Sequence, residues 1–125
     1  MKKLVILATI LGATAVLSAC SEKKPLTPEE QWHGYCTSIG NAARSILLDR
    51  QNGITLQQAE DHAAKLTDPT TKFFVEAQIE KVYAYPEQDL EKNKDSLLAQ
   101  FKQEGMDACL ATPFDERKLP DYKQF

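Results

Sequence analysis

Thr27-Pro28-Glu29-Glu30, at the head of residues 27–53 (TPEEQWHGYCTSIGNAARSILLDRQNG), writes a helix start into four residues. Threonine at the N-cap, proline at the first helical position and glutamate at N3 compose a capping box, in which side chains and backbone amides at the helix start satisfy one another. Downstream, Trp32, Tyr35, Cys36, Ile39, Ala42, Ala43, Ile46 and Leu47 recur at three- and four-residue steps. They make one apolar stripe that runs until Gly53 stops the helix near Asn52. Ser38, Gly40, Ala42 and Ala43 read either as a low-profile surface for close helix packing or as ordinary filler.

The same grammar recurs along the chain. Thr55-Leu56-Gln57-Gln58 repeats the capping logic with glutamine at N3, and Leu56, Ala59, Ala63 and Leu66 mark a shorter, alanine-rich amphipathic helix ending near Thr67. Asp68-Pro69 opens a third helix with a cap followed by proline, carrying Phe73, Phe74, Val75, Ala77, Ile79, Val82, Tyr83 and Ala84 before Pro86 interrupts. On a helical wheel Val75, Ile79, Val82 and Tyr83 fall together, whereas Phe73, Ala77 and Ala84 fall on another face with Phe74 and Tyr85 beside them.

Glu87 to Asp95 is mostly charged and reads either as loop or as the exposed first turns of a fourth helix. The apolar positions Leu90, Leu97, Leu98, Phe101, Ala108 and Cys109 hold a helical period up to Pro113, and one long helix is expected there. Gly105, on that stripe, is either a point of close approach or a local break. The mature chain has neither a strand alternation of four or more residues nor a hairpin dipeptide. The expected fold is all-α, a small bundle of about four helices.

The N-terminus is a separate unit. Lys2 and Lys3 precede an apolar run from Leu4 to Val16 that is too short to span a bilayer of roughly 30 Å, and Leu17-Ser18-Ala19-Cys20 follows it. This segment resembles the bacterial lipoprotein class, whose lipobox has the form Leu-(Ala/Ser)-(Gly/Ala)-Cys. The resemblance implies cleavage before Cys20, acylation of that cysteine on its sulfur and its new amine, and attachment to a membrane through those chains. In that class a residue other than aspartate after the cysteine, here Ser21, implies sorting to the outer membrane of a double-membrane envelope. The expected organisation is a signal peptide over 1–19, a lipidated tether over 20–28, a helical domain over 29–112 and a C-terminal tail over 113–125. In that tail Phe114, Leu119, Tyr122 and Phe125 either pack back or stay exposed.

Loss of the signal removes two lysines and no acid, which takes the formal charge from -3 to -5. An acidic chain without clustered cations does not neutralise phosphates, so no nucleic-acid partner is expected. With Cys20 assigned to lipid, Cys36 and Cys109 remain as a pair in an export compartment where thiols are normally oxidised. Cys36 lies on the Trp32/Ile39 stripe and Cys109 on the Phe101/Gly105 stripe, so a disulfide would clamp the first helix to the last. Closing a loop of about 70 residues is worth roughly 4 kcal/mol against the unfolded state. The alternative is two buried free thiols.

Chemistry is sparse. Ser21-Glu22-Lys23-Lys24 has the Ser-x-x-Lys spacing of some acyl enzymes, but it sits in the tether, where nothing desolvates the lysine or supplies an oxyanion hole. His33 and His62 are the only histidines, and no zinc or calcium motif accompanies them, so both are expected at the surface with no metal and no cofactor. Glu29/Glu30, Glu60/Asp61 and Asp115/Glu116 are adjacent in sequence. On a helix such neighbours point about 100° apart and do not form a shared acid/base site. No GxSxG, Walker loop or dinucleotide fingerprint is present, and an enzyme is not expected.

Residues 36–46 (CTSIGNAARSI), with Arg50-Gln51-Asn52-Gly53, resemble a group of small uncharacterised helical proteins of bacteria and their phages that pair this cysteine with one near the C-terminus. The resemblance implies a clamped bundle and carries no functional residues. The expected function is that of a lipid-anchored envelope protein acting as a non-enzymatic binding or accessory module. Its envelope protein partner would dock on a spare aromatic face formed by Phe73, Phe74, Tyr83 and Tyr85, unless the third helix is simply central and buried all round. One alternative is a carrier of a small apolar ligand, with a pocket of about 300 Å³ or more lined by Phe73, Phe74 and Phe101. Another is a phage- or plasmid-encoded exclusion lipoprotein that masks an envelope receptor.

Overall fold

A computed structural model describes residues 23–115. Leu17 to Cys20, Ser21, Leu119, Tyr122 and Phe125 lie outside the described residues.

Four α-helices follow one another: α1 (Pro28–Gln51), α2 (Leu56–Ala64), α3 (Pro69–Ala84) and α4 (Lys94–Leu110), with a short 3-10 turn at Glu87–Asp89 before α4. No strand occurs among the described residues, and the fold is the expected all-α bundle. The start of α1 has both reciprocal capping bonds: the Glu30 amide donates to Thr27 Oγ1 at 3.2 Å and the Thr27 amide to Glu30 Oε2 at 2.8 Å. Gly53 ends it at φ 90°, a backbone conformation open to glycine, which lets the Ile54 amide reach back to the Asp49 carbonyl at 3.0 Å. The box at Thr55/Gln58 forms likewise, and at α3 the Asp68 carboxylate accepts from the Thr71 amide.

Two boundaries depart from expectation. Helix α2 stops at Ala64 rather than near Thr67, because Lys65 and Leu66 bond three residues back in a tightened last turn. Asp68, held extended ahead of Pro69, could not have continued the helix. The fourth helix is not one long element from Leu90. Asn93 takes the left-handed conformation at φ 52°, so α4 begins only at Lys94, and no side chain caps it. Leu90 is buried from the turn that follows the 3-10 segment.

The chain runs up, down, up and down. Helix α1 packs on α4 and α3, and α2 packs on α3. Cys36 and Cys109 form the disulfide, spanning 73 residues and joining the first helix to the last with their Cα atoms 5.3 Å apart. One turn away α1 and α4 nearly touch. A Cβ placed on Gly40 would lie 2.5 Å from the Lys102 carbonyl oxygen, and one on Gly105 would lie 2.8 Å from the Ala43 Cβ. Gly105 is therefore a point of close approach and not a break. Ala43 shares that crossing, whereas Ser38 is exposed and bonds back to the Gly34 carbonyl. Against the crossing lies Gln78 of α3, buried, with its Oε1 accepting no hydrogen bond.

The core divides into three clusters: Trp32, Tyr35, Cys36, Ile39, Phe74 and Cys109 at one end; Leu47, Val82, Leu90, Leu97, Leu98 and Phe101 at the other; and Ala59, Ala63 and Ile79 under α2. The starts of α1 and α3 and the end of α4 share the Trp32 end, tied by the disulfide and by a Tyr35 hydroxyl that donates to Thr71 Oγ1 at 3.2 Å. The opposite end is closed by polar contacts. Arg50 Nη1 donates to the Val82 and Tyr85 carbonyls at 2.5 and 2.7 Å, and Gln51 Nε2 to the Leu90 carbonyl at 3.2 Å.

Candidate functional site

The four aromatic residues singled out on the third helix separate into two places. Tyr83 and Tyr85 belong to the Arg50 end and serve the fold. The Tyr83 hydroxyl donates to the Ile54 carbonyl at 2.7 Å and its ring lies under the Arg50 guanidinium, while Tyr85 meets Phe101 edge-on with centroids 5.6 Å apart. Phe74 is 5 % exposed and packs in the first core cluster, whereas Phe73, one residue earlier, is 64 % exposed. The helix face shared by Phe73, Ala77 and Ala84 is open to solvent, and Phe73 is its one large ring. The four rings therefore do not make a common face, and α3 is not buried all round.

What Phe73 borders is a cleft of about 450 Å³ at the Trp32 end, between the starts of α1 and α3 and the end of α4. Trp32 forms its floor with Phe74, and Pro69 and Pro113 stand on its rim. The rings are stacked into one aromatic unit: Trp32 is 5.4 Å from Tyr35, 6.2 Å from Phe74 and 5.8 Å from Phe114, and Phe73 meets Phe74 edge-on at 5.3 Å. Such offset and edge contacts hold ring positions firmly. Burial pushes the Tyr35 hydroxyl above the usual tyrosine value, opposed by its bond to Thr71.

Sequence reading placed Trp32 on a core stripe and left Phe114 in a tail, and neither was tied to Phe73. A stripe identifies the side of a helix that faces inward, but not how far its neighbours cover the end. The prolines Pro69 and Pro113 carry some signal, since Pro69 opens α3, Pro113 follows the end of α4, and both border the cleft.

A second groove, of about 600 Å³, lies between α2 and α3, floored by Leu56, Ile79 and Tyr83 and rimmed by Glu60, Glu76 and Glu80. Among the described residues no group of three or more His, Cys, Asp or Glu side chains could hold a metal ion. His33 and His62 are both exposed. No helix among the described residues is long and apolar enough to cross a membrane.

Comparison of the chain with protein-family models, with curated proteins and with solved structures returned no match.

Proposed function

We propose that the chain is a lipid-anchored protein of the bacterial cell envelope, acting as a non-enzymatic binding or accessory module whose contact site is the Trp32–Phe73–Phe74 cleft. The observation that carries this reading is Phe73, 64 % exposed beside an aromatic cleft at the bundle end where the chain departs toward Cys20. Burying a phenylalanine side chain gains about 1.5–3 kcal/mol relative to leaving it in water, so this ring favours a partner that covers it. The cleft lining is mainly aromatic and proline, with Thr70, Thr112 and a single carboxylate, Asp115, as its polar members, which suits apolar contact rather than proton transfer.

The volume favours one second reading, a carrier of a small apolar ligand, since about 450 Å³ falls within the usual range for such sites. Phe101, expected in a carrier's lining, instead belongs to the core at the Arg50 end.

Two measurements in intact cells test the proposal. Cys20→Ala should release the protein from the membrane fraction, and retention there would overturn the anchored reading. A photo-crosslinking residue at position 73 should give adducts that are absent when the same residue replaces Gln57 on the exposed side of α2. Identical adducts from both positions would remove the cleft as the contact site.

A further inference from the structure

We infer that the Trp32–Phe73 end of the bundle docks on the bilayer that holds the anchor, with the Phe73 ring among the acyl chains of neutral lipids. The inference deepens the proposed function and rests on its assignment of Cys20 as the lipidated residue.

Geometry comes first. The segment from Cys20 to the start of α1 at Pro28 reaches at most about 29 Å when fully extended. Helix α1, with 24 residues, is about 36 Å long. An end-on contact through Arg50 would place the start of α1 farther from the surface than that leash allows. The Trp32 end has no such restriction, because Pro28 opens the same helix one turn before Trp32.

The chemistry of the two ends agrees with this orientation. At the Arg50 end the last carbonyls of α3 are taken by the guanidinium and the aromatic rings pack inward. At the Trp32 end an exposed phenylalanine stands over a cleft of aromatic rings flanked by Pro69 and Pro113, with Thr70, Thr112 and Asp115 on its lining at the level of the headgroups. One ring gives little affinity to a protein free in solution. Anchoring changes the arithmetic, since a tethered site meets the surface at an effective concentration in the millimolar range, where a weak apolar contact becomes populated. Charge gives anionic headgroups no advantage: Lys23 and Lys24 in the tether are offset by Glu29 and Glu30 in the first turn of α1, all four exposed, and the chain from Cys20 onward is net acidic.

Trp32 is the only tryptophan, which makes it the reporter. The acylated protein, purified from membranes and reconstituted into phosphatidylcholine vesicles, should lose Trp32 emission when the lipid acyl chains are brominated. Phe73→Ser should lower the ratio of docked to undocked protein about tenfold while the protein still sediments with the vesicles. Adding phosphatidylglycerol should not strengthen the quenching. Equal emission in brominated and plain vesicles overturns the inference. So does a position-73 crosslink that captures protein instead of lipid. A second arm separates the two proposals: residues 20–125 joined to vesicles through a thiol-reactive lipid at Cys20, with Cys36 and Cys109 bonded, are anchored whatever the cell does. Quenching in that arm, with an unmodified Cys20 in cells, overturns the anchored reading and leaves the docking surface standing.

Discussion

Set side by side, the two ends of the bundle are secured by different means. At the Arg50 end a single guanidinium joins the C-termini of α1 and α3, donating to the Val82 carbonyl, which also accepts from the Tyr85 amide, and to the Tyr85 carbonyl just past the helix, and Gln51 pins the turn leading to α4. At the Trp32 end the helices are held by a covalent bond and stacked rings, and the surface is left apolar and partly open. A positive group over helix C-termini closes an end, because it answers the dipole as well as the carbonyls. A disulfide fixes where the backbones lie and asks nothing of the side chains around it, so an uncovered aromatic cleft can persist beside it.

The comparison can be broken most forcefully at the disulfide. Cys36→Ala with Cys109→Ala should cost roughly 4 kcal/mol in urea unfolding. Amide exchange should rise first around residues 28–36 and 105–112, with the Arg50 end following later. Uniform acceleration across the chain would mean the two ends do not differ in how they are held.

The reverse experiment is Arg50→Ala. Leaving the Val82 and Tyr85 carbonyls without their charge-assisted donor should cost about 2 kcal/mol, with exchange rising at the end of α3 and in the turn around Leu90. Arg50→Lys should restore part of the loss, since both bonds leave the single nitrogen Nη1 and an ammonium also carries several donors on one nitrogen.

The smallest effect concerns pH. Lys81 and Gln100 donate to Glu104 and hold its carboxyl below the usual carboxylate range. A lowered folded-state value contributes stability that is present above the ordinary value near 4.5 and is lost as pH falls through the folded one. Both partners of the Lys81–Glu104 pair are substantially exposed, so the contribution is only a few tenths of a kcal/mol. Glu104→Gln should flatten the acid limb of stability between about pH 3 and 6 by that amount, and an unchanged limb would remove the pair from the account.

The starts of three helices were legible because each is written locally: Thr27, Thr55 and Asp68 carry their caps within four residues of sequence. The start of α4 was not, because Asn93 turns the chain with its backbone and offers no side-chain cap. Leu90 kept the helical period without being in the helix, since periodicity reports which residues face the core and not which backbone delivers them. Four positions between Cys36 and Gly53 have a plain structural role: Cys36 bonds Cys109, Gly40 admits α4, Arg50 caps α3 and Gly53 turns the chain. The cleft was half legible. Phe73 could be picked out by type, but the cleft beside it depends on where three helix ends meet, and no local pattern encodes that.

One consequence of the clamp concerns timing. Cys36 and Cys109 are both 0 % exposed in the finished domain. A partner that oxidises thiols by exchange needs a sulfur it can touch, so the bond has to be made while α1 and α4 can still separate, ahead of the closing of the cluster it shares with Trp32, Tyr35, Ile39 and Phe74. Once that cluster closes, a reductant reaches the bond only by way of an opening of the Trp32 end. A protein made without an oxidant and given one afterwards should acquire the cross-link at the rate at which that end opens, and not at the rate of thiol chemistry.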